Sequence, residues 1–215
     1  MQKKGGMFIS FEGSEGAGKS TQIRLLEEYL LAQGRIVRVV REPGGTSLGE
    51  DVRQILKHAA YGASLGAEAE LLLFAASRAQ LVREVVSPAL DQGQMVLSDR
   101  FTDSSVVYQG WGRELSVDFI EVLNRFATRG TVPDLTVLLD LPVEEGLLRA
   151  RQRGGKADRM ESMENAFYER VRAGYLNLAA ADPGRFLVMD ARLPQAAIAA
   201  KIREEIRKRE ESEHA

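Results

Sequence analysis

The 215-residue sequence is 44% hydrophobic, carries a formal net charge of −2 and contains no cysteine. This composition excludes disulfide and thiolate chemistry and argues against a nucleic-acid-coating surface; no apolar run is long enough for a membrane span. The length suits one α/β domain, expected to run 1–215 and to bury roughly 70% of its unfolded surface, and the lack of cysteine suits a cytoplasmic protein. Too few residues lie between the basic start and Glu12 for a signal-peptide core.

In chain order, the first expected strand is 7–11, and it runs straight into Gly13-Ser14-Glu15-Gly16-Ala17-Gly18-Lys19-Ser20-Thr21. An amphipathic helix, 19–33, follows. The loop fits G-x-x-x-x-G-K-[ST] in full, with the strand before it and the helix after it that the chemistry needs. Glycines let successive N–H groups point at one anion, and the helix N-terminus adds its positive end. Lys19 would reach the β- and γ-phosphates, and the Ser20 hydroxyl would ligate Mg²⁺. A chance match in a chain of this length is on the order of 1%. The sequence therefore predicts a nucleoside triphosphate site.

Four further strands are expected at 35–41, 94–98, 135–140 and 185–189, with helices at 48–58, 67–87, 103–110, 116–129, 143–152, 161–180 and 194–211. Strands alternating with helices predict a five-stranded parallel sheet of the P-loop NTPase type, with helices on both faces. Ligands then gather at the carboxyl ends of the strands.

The residues after each strand narrow the class. Neither D-x-x-G nor N/T-K-x-D occurs, which counts against a GTPase switch. Asp99 is followed by Arg100 rather than by a second acid, so a cation stands beside the expected Mg²⁺ carboxylate, as a second phosphate group would require. After the second strand comes Arg41-Glu42-Pro43-Gly44-Gly45-Thr46, with Arg53 beyond it. In 67–87, Phe74 and Arg78 are four apart and share a face, so an aromatic and an arginine can stack a base and donate to its edge. Taken alone, a phenylalanine at helical spacing belongs to a core more often than to a site. Ser105 and Gln109 are again four apart. His58 and His214 have no role in this reading.

FEGSEGAGKST, REPGGT, LLFAASRAQ, SDRF with DSSVVYQG, and PDLTVLLDLP resemble the bacterial thymidylate kinases, in that order and at matching spacings, over about 7–191. The resemblance implies transfer of the γ-phosphoryl of ATP to dTMP, giving dTDP and ADP, by a homodimer. It implies that Phe74 stacks on thymine and Arg78 donates to a thymine carbonyl. Gln109, with Ser105, addresses the base edge, and Tyr108 lies against the deoxyribose. Arg100 and Arg53 hold the dTMP phosphate with Glu42 beside it, and Glu15 is near the sugar 3′-hydroxyl. Asp99 acts on Mg²⁺ through water. The resemblance also implies a cis Glu42–Pro43 bond.

A basic segment at about 149–160 gathers Arg149, Arg151, Arg153, Lys156 and Arg159 around Gly154-Gly155. It reads as a lid that closes over ATP and places an arginine on the developing charge. The phosphate loop holds no cation besides Lys19, so the lid is expected to supply the catalytic arginine: Arg153 first, then Arg159 and Arg151. Arg192, after the last strand, is the candidate for the adenine side. Another nucleoside monophosphate kinase, or a non-enzymatic nucleotide- or nucleic-acid-binding protein using the 149–159 cations, remains an alternative at this point.

Overall fold

The structure, a computed structural model, describes residues 6–57, 65–152 and 164–213. Arg153 and Arg159, with most of the expected lid, and both histidines lie outside the described residues.

Five strands, β1 (Phe8–Glu12), β2 (Val37–Arg41), β3 (Met95–Asp99), β4 (Leu135–Asp140) and β5 (Phe186–Asp190), form one sheet in the order β2-β3-β1-β4-β5. Every pairing is parallel, as expected. β1, in the middle, is buried along its whole length, because helices cover both faces. On one face, Ile9 and Phe11 pack with Ile23, Leu26 and Leu30 of α1 (Lys19–Ala32) and with Ile198, Ile202 and Ile206 of α9 (Gln195–Glu213). The alternate residues of β1 point the other way. Phe8 joins Val82, Val86 and Phe101 there, while Ser10 and Glu12 are polar and fully buried.

Between the strands lie α2 (Ser47–Lys57), α3 (Ala67–Leu81), α4 (Ser87–Asp91), α5 (Thr102–Ser105), α6 (Val117–Thr128), α7 (Val143–Gln152) and α8 (Asn165–Ala181). The helix expected at 67–87 runs on to Asp91 through a π-helical stretch, Val82–Val86. Pro88 has no N–H to give to the carbonyl four residues before it, and the ladder widens there. The regular helix expected at 103–110 is instead one turn of α5 followed by a π-helical segment, Val106–Gly112. Residues 149–152, where the expected lid begins, form the last turn of α7, whose bounds are those expected from the sequence. Leu147 on that helix packs against α8 residues such as Tyr168.

Candidate active site

All five strands end at one cleft of about 1010 Å³. β1 leads into the phosphate loop at the sheet's centre, where the chain switches from the β3 side to the β4 side, the position at which open parallel sheets bind ligands. Gly13 has φ +132°, and a Cβ there would sit 2.5 Å from the Leu139 carbonyl oxygen; only glycine lets the loop pass so close to β4. The Lys19 ammonium folds back to donate to the carbonyls of Gly13 (3.0 Å) and Ser14 (2.9 Å). Burial first, and Arg100 next, push its pKa down. Ser20 Oγ donates to Asp99 Oδ2 at 3.1 Å, so the helix start and the end of β3 present two hard oxygens side by side. That donor set fits Mg²⁺, which takes one or two protein oxygens and fills its shell with phosphate and water.

Arg100 sits next to that pair in a left-handed conformation, φ +73°. Such a conformation costs an arginine of the order of 1–3 kcal/mol, and three hydrogen bonds hold it. Arg100 N donates to the Phe11 carbonyl (3.0 Å), Ser98 Oγ to the Arg100 carbonyl (2.6 Å), and Phe101 N to Glu12 Oε1 (2.7 Å). The backbone thereby turns the guanidinium into the cleft. There it bonds Glu15 (2.7 Å), Tyr108 Oη (3.1 Å) and Ser104 Oγ (3.2 Å) and lies 4.9 Å from the Tyr108 ring centre.

Beneath Arg100 lies a carboxylate to which the sequence reading gave no role. Glu12 accepts from Ser104 Oγ (2.6 Å) and Tyr175 Oη (2.8 Å) as well as Phe101 N. Burial, aided by Asp103, raises its pKa from the ordinary 4.5 to about 7, against the lowering pull of Arg100 and the two hydroxyls. Burial also lifts the Tyr108 phenol to about 12, so it stays neutral while its oxygen accepts from Arg100.

The far side of the cleft is a second polar network. Arg78 is 1% exposed. It donates to Glu42 (2.8 Å), Asn124 (2.7 Å), the Phe101 carbonyl (3.2 Å) and Ser105 Oγ (3.0 Å). Glu42 and Ser105 line the cleft; Arg78 backs them. The Glu42–Pro43 bond is cis. Gln109 donates to Glu70 at 2.8 Å, and Arg113 pairs with the same carboxylate at 3.1 Å. Phe74 lines the same wall, and Arg53, which donates to the Pro43 carbonyl at 2.9 Å, lies at the mouth. Ser105, Tyr108 and Gln109, three and four residues apart along the helical segment, share a face and all line the cleft.

Across the cleft, Arg149, Arg151 and Arg192 line the P-loop end. Arg149 donates to the Ala191 carbonyl (3.1 Å), and Arg192 pairs with Asp190 (2.8 Å). Among the described residues, therefore, the structure brings together every candidate at one cleft or directly behind it. The sequence reading missed Glu12, Glu70, Asn124, Arg113 and Tyr175. One signal was available for Asn124: it falls four residues after Ile120 on the buried stripe of α6, a polar residue where the pattern calls for an apolar one.

With this geometry, the family model described as "Thymidylate kinase" matches residues 11–202. The chain belongs to the thymidylate kinase family. It is 53% identical over 184 residues to the thymidylate kinase of Kosmotoga olearia, covering 86% of this chain and 87% of that one. Over 201 residues it is 52% identical to that of Trichlorobacter lovleyi, covering 91% and 94%. Its fold is similar to the crystal structure of the Ehrlichia chaffeensis thymidylate kinase, with a TM-score of 0.74 and 33% identity over 94% of this chain and 99% of that one. The parallel α/β sheet and the kinase class expected from the motifs both stand. Among the described residues, no helix is long and apolar enough to cross a membrane.

Proposed function

We propose that the cleft holds ATP and dTMP end to end and passes the γ-phosphoryl group between them, giving ADP and dTDP. One observation carries the reading. Arg100, anchored in the left-handed region, stands between the phosphate loop and the wall of Phe74, Ser105 and Gln109, so one cation faces both phosphate groups.

On this reading the loop N–H groups and Lys19 grip the donor phosphates, and Lys19 leaves the Gly13 and Ser14 carbonyls when they arrive. Ser20 and Asp99 would hold Mg²⁺, Asp99 through water, and the ion would supply positive charge to offset that of the phosphates. Arg100 and Arg53 hold the acceptor phosphate, and Glu15, paired to Arg100, faces the sugar. Phe74 stacks the base, Arg78 and Gln109 read its edge, and Tyr108 packs on the deoxyribose. The acceptor phosphate is already an anion and needs no strong base; positioning and cations supply the acceleration through a loose transition state. The 149–160 segment closes as a lid over a single kinase domain and brings Arg153, Arg159 or Arg151 to the transferring group. Arg192 and Arg149 flank the adenine side.

The exposed apolar stripe of α6, Phe119, Val122 and Phe126, with Leu72 of α3 beside it, supports a homodimer packed through these helices. Light scattering at the monomer mass would remove that part of the reading. We place the protein in the cytoplasm, with no nucleic-acid partner, in keeping with the net charge of −2. The deciding experiment is coupled ADP release with dTMP, dUMP, dCMP, dGMP and AMP as acceptors. dTMP is expected to have the highest kcat/KM, and a purine monophosphate in first place would overturn the assignment.

A further inference from the structure

Glu70 is fully buried in the first turn of α3, yet it touches no phosphate-binding group among its described contacts. Its carboxylate takes Nε2 of Gln109 at 2.8 Å on Oε1 and the Arg113 guanidinium at 3.1 Å on Oε2. Arg113 is itself fixed, 5.4 Å from the centre of the Phe167 ring on α8. In this arrangement the Glu70 carboxylate accepts from both neighbours, from the Gln109 amide on Oε1 and from the Arg113 guanidinium on Oε2.

That has a consequence for Gln109. A glutamine amide is ambivalent, with a carbonyl at one end and N–H groups at the other, and it can serve either kind of partner by turning over. Beside Glu70 it cannot turn, because the flip would set the amide carbonyl against a buried carboxylate. The N–H end is committed to Glu70, and the carbonyl is the end left for the cleft that Gln109 lines. Arg78, behind the same wall, carries donors and no acceptor.

We propose that Glu70, locked by Arg113, is a positioning residue that makes the acceptor site read a 4-oxo pyrimidine and reject a 4-amino one. The inference rests on the proposed function. A thymine or uracil edge offers an N3–H to the Gln109 carbonyl and a 4-oxo group to an arginine donor. Cytosine reverses both, presenting a bare N3 to a carbonyl and an amino group to a guanidinium, and Glu70 blocks the one rearrangement that would accommodate it. Because uracil shares the thymine edge, this device leaves the 5-methyl group unread.

The test is kcat/KM for dTMP, dUMP and dCMP, by ADP release, in the parent, in Glu70→Gln and in Arg113→Met. Glutamine at 70 can donate as well as accept, so the Gln109 amide is free to turn. The dTMP-to-dCMP preference should fall by about tenfold or more, carried by a lower KM for dCMP, while the dTMP-to-dUMP ratio stays as it was. Arg113→Met, at a partly exposed position, should shift the same ratio in the same direction and serves if Glu70→Gln does not fold. If all three acceptors fall by one common factor in the variant that folds, Glu70 is merely structural and the proposal is overturned. A parent that does not phosphorylate dTMP overturns the functional reading instead, which the parent assay alone reveals.

Discussion

The phosphate-loop side of the cleft and the wall formed by α3, α5 and the π-helical segment solve the problem of polar groups in opposite ways. The loop side offers main-chain N–H groups, one lysine resting on carbonyls and the Ser20–Asp99 pair near solvent. The wall is charged groups already paired in the interior: Arg78 with Glu42 and Asn124, Gln109 and Arg113 with Glu70, Tyr175 and Ser104 with Glu12. A backbone cradle needs little beyond glycine and a helix start. A wall of polar groups in the interior needs partners for them, since a buried group without one is costly. The difference predicts where substitutions act: on rate at the loop side, on stability and selectivity at the wall.

The largest expected effect tests the loop side. Apart from Lys19, no cation lies within 13–21, and on the proposed reading the basic segment supplies a transition-state arginine in addition to Arg100. Alanine variants at Arg153, Arg159 and Arg151, assayed at saturating ATP and dTMP, should include at least one whose kcat falls by roughly 10³–10⁵-fold with dTMP binding little changed. Three variants within about threefold of the parent would return catalysis to the loop itself.

At the wall, Arg78→Met strands the Glu42 carboxylate, which is 3% exposed. It should lower the free energy of unfolding by about 3–5 kcal/mol, read by denaturant titration, and Glu42→Gln added to it should restore part of the loss. A single variant as stable as the parent would mean that the wall is not held by this pair.

Glu12 gives the comparison a pH dependence. Its pKa is raised in the folded protein, from 4.5 to about 7. The folded state therefore keeps a proton that the unfolded chain has lost, and the resulting stabilisation, complete below pH 4.5, disappears as pH rises through about 7. Between those limits the parent should lose up to about 3 kcal/mol more than Glu12→Gln does. Parallel melts of the two proteins from pH 4.5 to 8 measure the difference, and identical slopes would place the Glu12 carboxylate back in the ordinary range. Arg100, Asp103 and Tyr175 face the group and are the same in both proteins.

The smallest effect separates pairing from burial. Arg41 and Glu50 form an ion pair of 2.8 Å on the same side of the cleft, but the side chains are 51% and 41% exposed. Arg41→Ala should change stability by less than about 1 kcal/mol, and a loss as large as that of Arg78→Met would show that position along the wall matters more than removal from water.

What could be read from the sequence follows the same division. The phosphate loop is one contiguous run whose residue types are dictated by backbone geometry, so 13–21 declared itself, as did the strand and helix periods that give a parallel sheet. The resemblance named Phe74, Arg78, Ser105, Tyr108 and Gln109, but not what holds them. Glu70 and Gln109 are 39 residues apart, Arg78 and Asn124 46, and Glu12 and Tyr175 163, and no local pattern announces a buried partner at such separations. The π-helical turn after α5 was likewise hidden, because its sequence is compatible with an ordinary helix and packing against α6 and α8 accompanies the wider one. Sequence alone determined where phosphate binds, since that depends on local backbone conformation. Only the tertiary structure decided which carboxylates are buried, which arginines they hold and which way the Gln109 amide faces, because those depend on groups brought together after the sheet has formed.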